Sequence, residues 1–416
     1  MLPDTTAAPA RPPRSFAFFI HPTNDPDSLF GLKTAFPGMD KRQLETILDW
    51  TRSFSEHRLD AEPVAFIDDI VSHTGTRVRG WLVFSSFTAK EMLQLSKKLK
   101  ERLLDSYMAT ARRLGVDYVG LGAFTSVLSR GGDYYRDCGI PVTTGNSYTA
   151  MCSLKAVEDL LAARGRDTRA TSVAVIGAYG SIGRTVSLHA VHAHERITLI
   201  GNAANEKSPG LLEALATDLI AECFRVAPGA DAPLARQVVG LLAQESERSY
   251  RNYLKLCRAA GTNPLILVGS VASGQPIGAE VVYCATSNAG SFLTLNVLDG
   301  ADIVCDISRP SDLDRTLLND SGIAYIEGGL SYLPHPVRFG AENLQGFPPE
   351  INLGCLSETI ALTMDGQERG FSVGSGVTLA EATTVYDICL KHGFRPYTQA
   401  GAHAHRSGSQ PPAVAA

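Results

Sequence analysis

Residues 171–191, TSVAVIGAYGSIGRTVSLHAV, set an apolar run, a glycine-rich turn and an amphipathic stretch in immediate succession. The run is rich in valine and isoleucine and reads as a strand buried on both faces. Gly177, Gly180 and Gly183 then give a GxxGxxG spacing. Glycine is needed there because the chain turns tightly and its backbone approaches a pyrophosphate, whose charge the next helix N-terminus stabilises. RITLIGNA follows as a second strand, which supplies the strand–turn–helix–strand context of a dinucleotide fingerprint. VVYCATSN, ADIVCDIS and IAYIEGG are later short strands of the same, mostly parallel sheet. The expected fold class is α/β: a Rossmann-type doubly wound parallel sheet, with an N-terminal α/β substrate domain and C-terminal helices. The candidate cofactor-binding residues are Gly177, Tyr179, Gly180, Ser181, Ile182 and Gly183, with Thr286 after a later strand.

The second strand ends in GNAANEK, residues 201–207. A site for NAD ordinarily carries an acid here for the ribose 2′-hydroxyl, and none occurs before Glu206. Asn202, Asn205 and Lys207 suit a 2′-phosphate instead, so NADPH is the expected cofactor, although the usual arginine is missing. His189, His192 and His194 fall on the intervening helix; without a carboxylate or cysteine to complete a site they read as a packed or solvated face, and no metal is expected.

Around this centre the expected organisation is a disordered N-terminus at 1–14, a substrate domain at 15–145 and a connecting helix at 146–168. A cofactor domain at 169–346, a C-terminal helical segment at 347–400 and a disordered tail at 401–416 holding His403 and His405 follow. PVAFIDDIVS and RVRGWLVFSS alternate as strands of a hairpin about HTGT. Residues 88–114 read as one helix ending at Gly115, and YVGLGAFTSVL as a strand running into a glycine-rich loop. The connecting helix is expected to be capped near Asn146 or Ser147, and TLAEATTVYDICLKHG to carry a capping box of Thr378 with Glu381.

Composition excludes other classes. The net charge of −5 argues against general nucleic-acid binding, and no apolar run approaches the ~18 residues that cross a bilayer. The first residues do not read as a signal peptide. Eight cysteines without a CxxC pair suggest neither a disulfide framework nor a zinc site, so a reduced, cytoplasmic protein is expected.

Cys355, in GCLSETIAL, lies in what reads as the first turns of a late helix following Pro348 and Pro349. A thiol there has a lowered pKa, yet Leu353, Leu356, Ile360 and Met364 make an apolar stripe beside it, and pattern alone leaves packing and nucleophile both open.

Several segments together resemble the long-chain acyl-(acyl-carrier-protein) reductases: FIHPT at 19–23, GLGAFTSVL at 120–128, TTGNSYTA at 143–150, VAVIGAYGSIG at 173–183, GCLSETIAL at 354–362 and KHGFRPY at 391–397. The resemblance implies an NADPH-dependent reductase in which Cys355 attacks an acyl thioester and an aldehyde forms. It implies acyl carrier protein or coenzyme A as the carrier of the substrate. An acidic carrier could dock on Lys90, Lys97, Lys98, Lys100, Arg102, Arg112 and Arg113, although Glu91, Glu101 and Asp105 dilute that face and it also reads as merely solvated. Ser126, Asn146, Thr149, Tyr332 and His335 are substrate-cleft candidates, and a homo-oligomer is allowed for. Two departures stand out: the segment near 205–275 is longer than the family leads one to expect, and the Asn-rich turn replaces the 2′-phosphate arginine. A dehydrogenase of a small hydroxy or amino acid without covalent catalysis, or a non-catalytic NADP-binding sensor or scaffold, would use the glycine turn but not the cysteine.

Overall fold

The structure, a computed structural model, describes residues 13–22, 38–40, 42–44, 46, 59–227, 229–271, 275–288, 290–339 and 347–398. Of the terminal segments expected to be disordered, all but Pro13 and Arg14 lie outside these residues, His403 and His405 included.

The first sheet is built from β1 (Arg14–Ile20), β2 (Glu62–Val71), β3 (Arg77–Phe84), β4 (Tyr118–Leu121) and β5 (Val142–Thr143), in the order β2-β3-β1-β4-β5. β2 and β3 form the expected antiparallel hairpin; the remaining pairs are parallel. The stretch expected to be one helix is two, α1 (Ala89–Gln94) and α2 (Lys97–Leu114). Leu95 turns extended (ψ 141°) and the Ser96 hydroxyl accepts from Leu99 N–H, so a local side-chain cap starts a new helix. After β4 the glycine-rich loop contains a short helix, α3 (Phe124–Leu128).

α4 (Asn146–Ala163) connects the two larger sheets. Neither Asn146 nor Ser147 caps it: Gly145 occupies the cap position at φ +71° with no side-chain bond. Next come β6 (Ser172–Ile176), α5 (Ser181–Ala193) and β7 (Arg196–Ile200). The long segment after β7 folds as α6 (Ser208–Cys223), α7 (Pro233–Leu242) and α8 (Tyr250–Ala260) before β8 (Leu265–Val268). With β9 (Val281–Cys284), β10 (Ile303–Asp306) and β11 (Ala324–Glu327) the second sheet is wholly parallel, ordered β11-β10-β9-β6-β7-β8. That is the doubly wound dinucleotide-binding order, reversing direction between β6 and β9, where ligands bind outside the strand ends. One core fills the face covered by α4 to α8, around Val175, Leu199 and Leu219; a smaller one around Val282 and Leu298 fills the other.

β12 (Leu330–Tyr332), β13 (Ile351–Leu353) and β14 (Arg395–Pro396) make a small antiparallel sheet. β13 runs directly into α9 (Gly354–Asp365), so this helix starts from a strand rather than from Pro348 and Pro349. α9 and α10 (Leu379–Lys391) bury Leu356, Ile360 and Val385 against Phe16, Phe18 and Tyr148. The capping box expected on α10 is half formed: Thr378 accepts from Glu381 N–H at 3.2 Å, while the Glu381 carboxylate accepts from Ser372 N–H at 2.7 Å. Among the described residues no helix is long and apolar enough to cross a membrane.

Candidate active site

The glycine turn is built as its spacing requires. Gly177 lies at φ +77°, and a Cβ there would meet the Ala285 carbonyl at 2.6 Å; on Gly183 it would meet the Gly177 carbonyl at 2.3 Å. The turn is pinned by Gly177 N–H donating to Ile200 O at 3.0 Å. α5 begins after Gly180 with no side-chain cap, so its first N–H groups face outward as an anion cradle. These residues fit the pyrophosphate of a dinucleotide.

In front of the turn is a cavity of about 350 Å³ at the strand-order reversal. It is lined by Tyr179, Gly180, Ser181, Ile182 and Thr286 on one side and by Cys355, Ser126, Asn146 and Thr149 on the other. Asn146 bridges the two, its amide donating to the Ser181 hydroxyl at 2.6 Å. Tyr179 reaches the next turn, its hydroxyl accepting from the Asn205 amide at 3.3 Å. Gly177 and Gly183 lie behind this surface as scaffold, and Asn202 and Lys207 sit outside it, beyond the end of β7.

Tyr332 and His335 do not reach the cavity. Tyr332 packs its ring on Tyr397, with centroids 5.3 Å apart. The His335 Nε2 accepts from Val71 N–H at 2.9 Å and ties the small sheet to β2, so its role is architectural. The histidines expected on this helix pack locally: His189 and His192 on α5 face Glu158 and Glu222, and His194, just past its end, bonds the Thr171 hydroxyl. On α2, Lys97 pairs with Glu101 and Arg113 with Glu62, while Lys100 and Arg112 donate to backbone carbonyls and keep their charge at the surface.

Cys355 is the second residue of α9 and is half-buried. The Gly354 N–H donates to Gly329 O at 2.7 Å, which fixes the start of the helix. Gly145 lies against the cysteine so closely that a Cβ on it would come 2.2 Å from the Cys355 Cα. Burial pushes the Cys355 thiol up to about 12; the Leu356 N–H pulls it down, Glu358 adds to the rise and the Arg309 guanidinium opposes it. The other cysteines carry no such position, and Cys284 and Cys305 are core.

Several site residues carry no local sequence signal. Arg309 lines the cavity, held by Glu327 and the carbonyls of Ser308 and Gly328. Glu358, fully buried one turn below Cys355, accepts from the Thr143 hydroxyl (2.5 Å), the Ser372 hydroxyl (2.7 Å) and Tyr148 N–H (2.8 Å). Asp312 accepts from the hydroxyls of Thr286 (2.5 Å) and Ser308 (2.6 Å), anchoring two cavity-lining loops. With Asp306 and Cys284 it forms a compact buried group, but both carboxylates are already taken up by hydroxyl and backbone donors. Burial pushes the Asp312 carboxyl up to about 6. Among the described residues no histidine or carboxylate lines the cavity.

No protein-family model matches the chain. Among solved structures it is similar to a hetero-hexameric glutamate dehydrogenase from Thermus thermophilus (16% identity, 96% of this chain and 77% of that one, TM-score 0.35). It is also similar to L-tryptophan dehydrogenase from Nostoc punctiforme (12% identity, 95% and 84%, TM-score 0.32). The fold stands on its own strand order rather than on scores this low. In sequence it is 24% identical over 390 residues to Aminotransferase PigE of Serratia sp. (strain ATCC 39006); that alignment takes in 92% of this chain but only 39% of PigE. It is 31% identical over 349 residues, 80% of this chain and 88% of its counterpart, to the long-chain acyl-[acyl-carrier-protein] reductase of Synechococcus elongatus (strain ATCC 33912 / PCC 7942 / FACHB-805). By that similarity, carried across nearly the whole of the relative, the chain belongs to the long-chain acyl-[acyl-carrier-protein] reductase family.

Proposed function

We propose that this protein is an oxidoreductase that converts an acyl thioester to an aldehyde, using NADPH and a covalent acyl group on Cys355. The observation that carries the reading is the meeting of one cysteine and one dinucleotide turn at a single cavity. NADPH, when bound, supplies the hydride that reduces the acyl carbon. The chain's own residues do the rest. The Cys355 thiolate adds to the thioester carbonyl; the bond to the carrier sulfur breaks and the carrier thiol leaves with a proton, so the acyl group is on Sγ. With no histidine or carboxylate lining the cavity among the described residues, the thiolate and the oxyanion depend on the Cys355 and Leu356 N–H groups in the first turn of α9 and on Arg309. After reduction the bond from carbon to Sγ breaks, the aldehyde departs and Cys355 recovers its proton. The substrate would be a thioester of acyl carrier protein or coenzyme A.

The test is intact-protein mass spectrometry after mixing the protein with a panel of acyl and aminoacyl thioesters without NADPH. The expected result is a mass gain equal to the acyl group, absent in Cys355→Ala and discharged as aldehyde on adding NADPH. A second reading, a dehydrogenase without covalent catalysis, is favoured by the burial that raises the thiol to about 12. It predicts no adduct and full turnover of a hydroxy or amino acid in the Cys355→Ala variant.

A further inference from the structure

A second cavity, of about 340 Å³, lies between α6, α8 and β8, all formed by the long segment that follows β7. It abuts the start of the turn that follows β7. A Cβ on Gly201, at the end of β7, would lie 2.9 Å from Leu212 Cδ1 and 3.1 Å from Gly269 O, and both Leu212 and Gly269 line the cavity. Its walls are chiefly apolar, with Tyr250 and Leu254 opposite Leu212, and its charged residues are Glu213 and Arg251. Arg251 is exposed and makes no hydrogen bond or ion pair among the described residues. Its guanidinium is therefore solvated and available at the rim of an apolar recess.

The neighbouring turn is short of charge. The Asn202 and Asn205 side-chain oxygens accept from Ala204 N–H (2.9 Å) and Lys207 N–H (3.0 Å), and the Asn205 amide donates to Tyr179. Both side chains are therefore largely spent on the turn itself, which leaves Lys207 as its one cation. A dinucleotide whose pyrophosphate rests on α5 carries its adenosine toward the ends of β7 and β8. An ion pair with a phosphate dianion calls for the planar fork of an arginine.

We propose that this second cavity receives the adenosine 2′-phosphate end of NADPH, with Arg251 pairing the 2′-phosphate. The base lies against Leu212, Tyr250 and Leu254, and Glu213 accepts from its amino group. The long segment thus supplies from α8 the arginine that the turn after β7 lacks. The inference rests on the proposed use of NADPH, and its test separates the two.

Equilibrium binding of NADPH, NADH and adenosine 2′,5′-bisphosphate would be measured by fluorescence or calorimetry for the wild type, Arg251→Met, Arg251→Lys and Leu254→Trp. Loss of one charge-assisted contact predicts that Arg251→Met weakens NADPH and the bisphosphate by about 10- to 100-fold. NADH affinity should be unchanged and Arg251→Lys should recover part of the loss. Leu254→Trp, which fills the recess, should abolish bisphosphate binding while thermal melting reports an intact fold. If Arg251→Met leaves NADPH binding unchanged, or weakens NADPH and NADH alike, this assignment is overturned and the NADPH-dependent reading stands. If the wild type binds no NADPH, both fall.

Discussion

Helices that begin at the cavity in front of the glycine turn and helices that begin elsewhere are finished differently. α1, α2, α8 and α10 start on Thr88, Ser96, Ser249 and Thr378, each accepting a hydrogen bond from the first turn. α3, α4, α5 and α9 have no side-chain cap, and the first residues of all four line the cavity. α6 and α7 are also uncapped but carry proline in the first turn, which removes a donor that would need a partner. A side-chain cap is worth about 1 kcal/mol. At three of these starts other groups take up leading donors: Phe124 N–H donates to His21 Nε2, Tyr148 N–H to the Glu358 carboxylate and Gly354 N–H to Gly329 O. The first turn of α5 has no such acceptor among the described residues, and its N–H groups and positive potential are left to whatever enters. The difference is that the start of α5 alone among the four keeps an open set of donors, the arrangement that suits an anion.

The largest effect is expected where two of these uncapped starts touch. Gly145 holds φ +71° and would place a Cβ 2.2 Å from the Cys355 Cα. Gly145→Val adds left-handed strain to a backbone clash, so a loss of about 3 kcal/mol or more is expected. Thermal melting should show a large fall in Tm or failure to fold, and Gly145→Ala should fall in the same direction by less. A valine tolerated there would mean that the α4 and α9 starts are not in contact, and the cleft geometry would have to be redrawn.

Next is Glu358. Glu358→Ala leaves the Thr143 and Ser372 hydroxyls and Tyr148 N–H without their buried acceptor, which should cost about 3 kcal/mol in urea unfolding. Glu358→Gln keeps an acceptor and should cost less. Burial raises the Glu358 pKa, against the pull of its three donors. The proton is therefore favoured in the fold, and this carboxyl's share of stability falls as pH rises from the unfolded value into the raised range. The glutamine variant should flatten that slope. The same charge raises the Cys355 pKa and Arg309 lowers it. Alkylation of Cys355 should accelerate steadily from pH 7 to pH 10, faster in Glu358→Gln and slower in Arg309→Gln; identical profiles in all three would remove both residues from thiol control.

How much of this could be read beforehand follows from range in sequence. The glycine turn, the parallel strands around it and the long α10 are local patterns, and GCLSETIAL singles out Cys355 through family resemblance. Glu358 could not be found that way: its partners Thr143 and Tyr148 lie 215 and 210 residues upstream, and in its own segment it is one more polar residue on a helix. Arg309 follows a strand in an ordinary polar loop and becomes a cleft cation only once β10 is set beside β9. Asn146 and Ser147 have the chemistry of caps, but the close approach of α9 demands glycine one position earlier. His335 is a catalytic residue type that tertiary structure commits to holding β2.

A smaller effect comes from giving a cleft helix the cap it lacks. Gly180 is extended (φ −65°, ψ 160°), and a Cβ there would meet only the Gly177 carbonyl at 3.2 Å and Ala285 O at 3.8 Å. Gly180→Asp can cap α5 with its own carboxylate and complement the helix dipole, which offsets the tight contact with the Gly177 carbonyl and keeps stability within about 1 kcal/mol of the wild type. NADPH affinity should fall at least about tenfold, because a carboxylate now occupies the anion cradle. Stability held while affinity falls would be the signature of a cradle left open for a ligand; unchanged affinity would place the pyrophosphate elsewhere.

The smallest effect, and the control for all the others, lies at α1, which packs behind α3 but does not itself line the cavity. Thr88 and Glu91 cap α1 reciprocally: Thr88 N–H donates to the Glu91 carboxylate at 2.8 Å and Glu91 N–H to the Thr88 hydroxyl at 3.3 Å. Thr88→Ala should lower stability by about 1 kcal/mol. NADPH affinity and the pH profile of Cys355 alkylation should not move, since neither Thr88 nor Glu91 lines the cavity. The value of this variant is its pairing with Gly180→Asp: one removes a cap and loses only stability, the other adds a cap and loses only binding. If Thr88→Ala changed cofactor affinity as well, binding would be reporting overall stability, and the division between capped and open helices would carry no functional meaning.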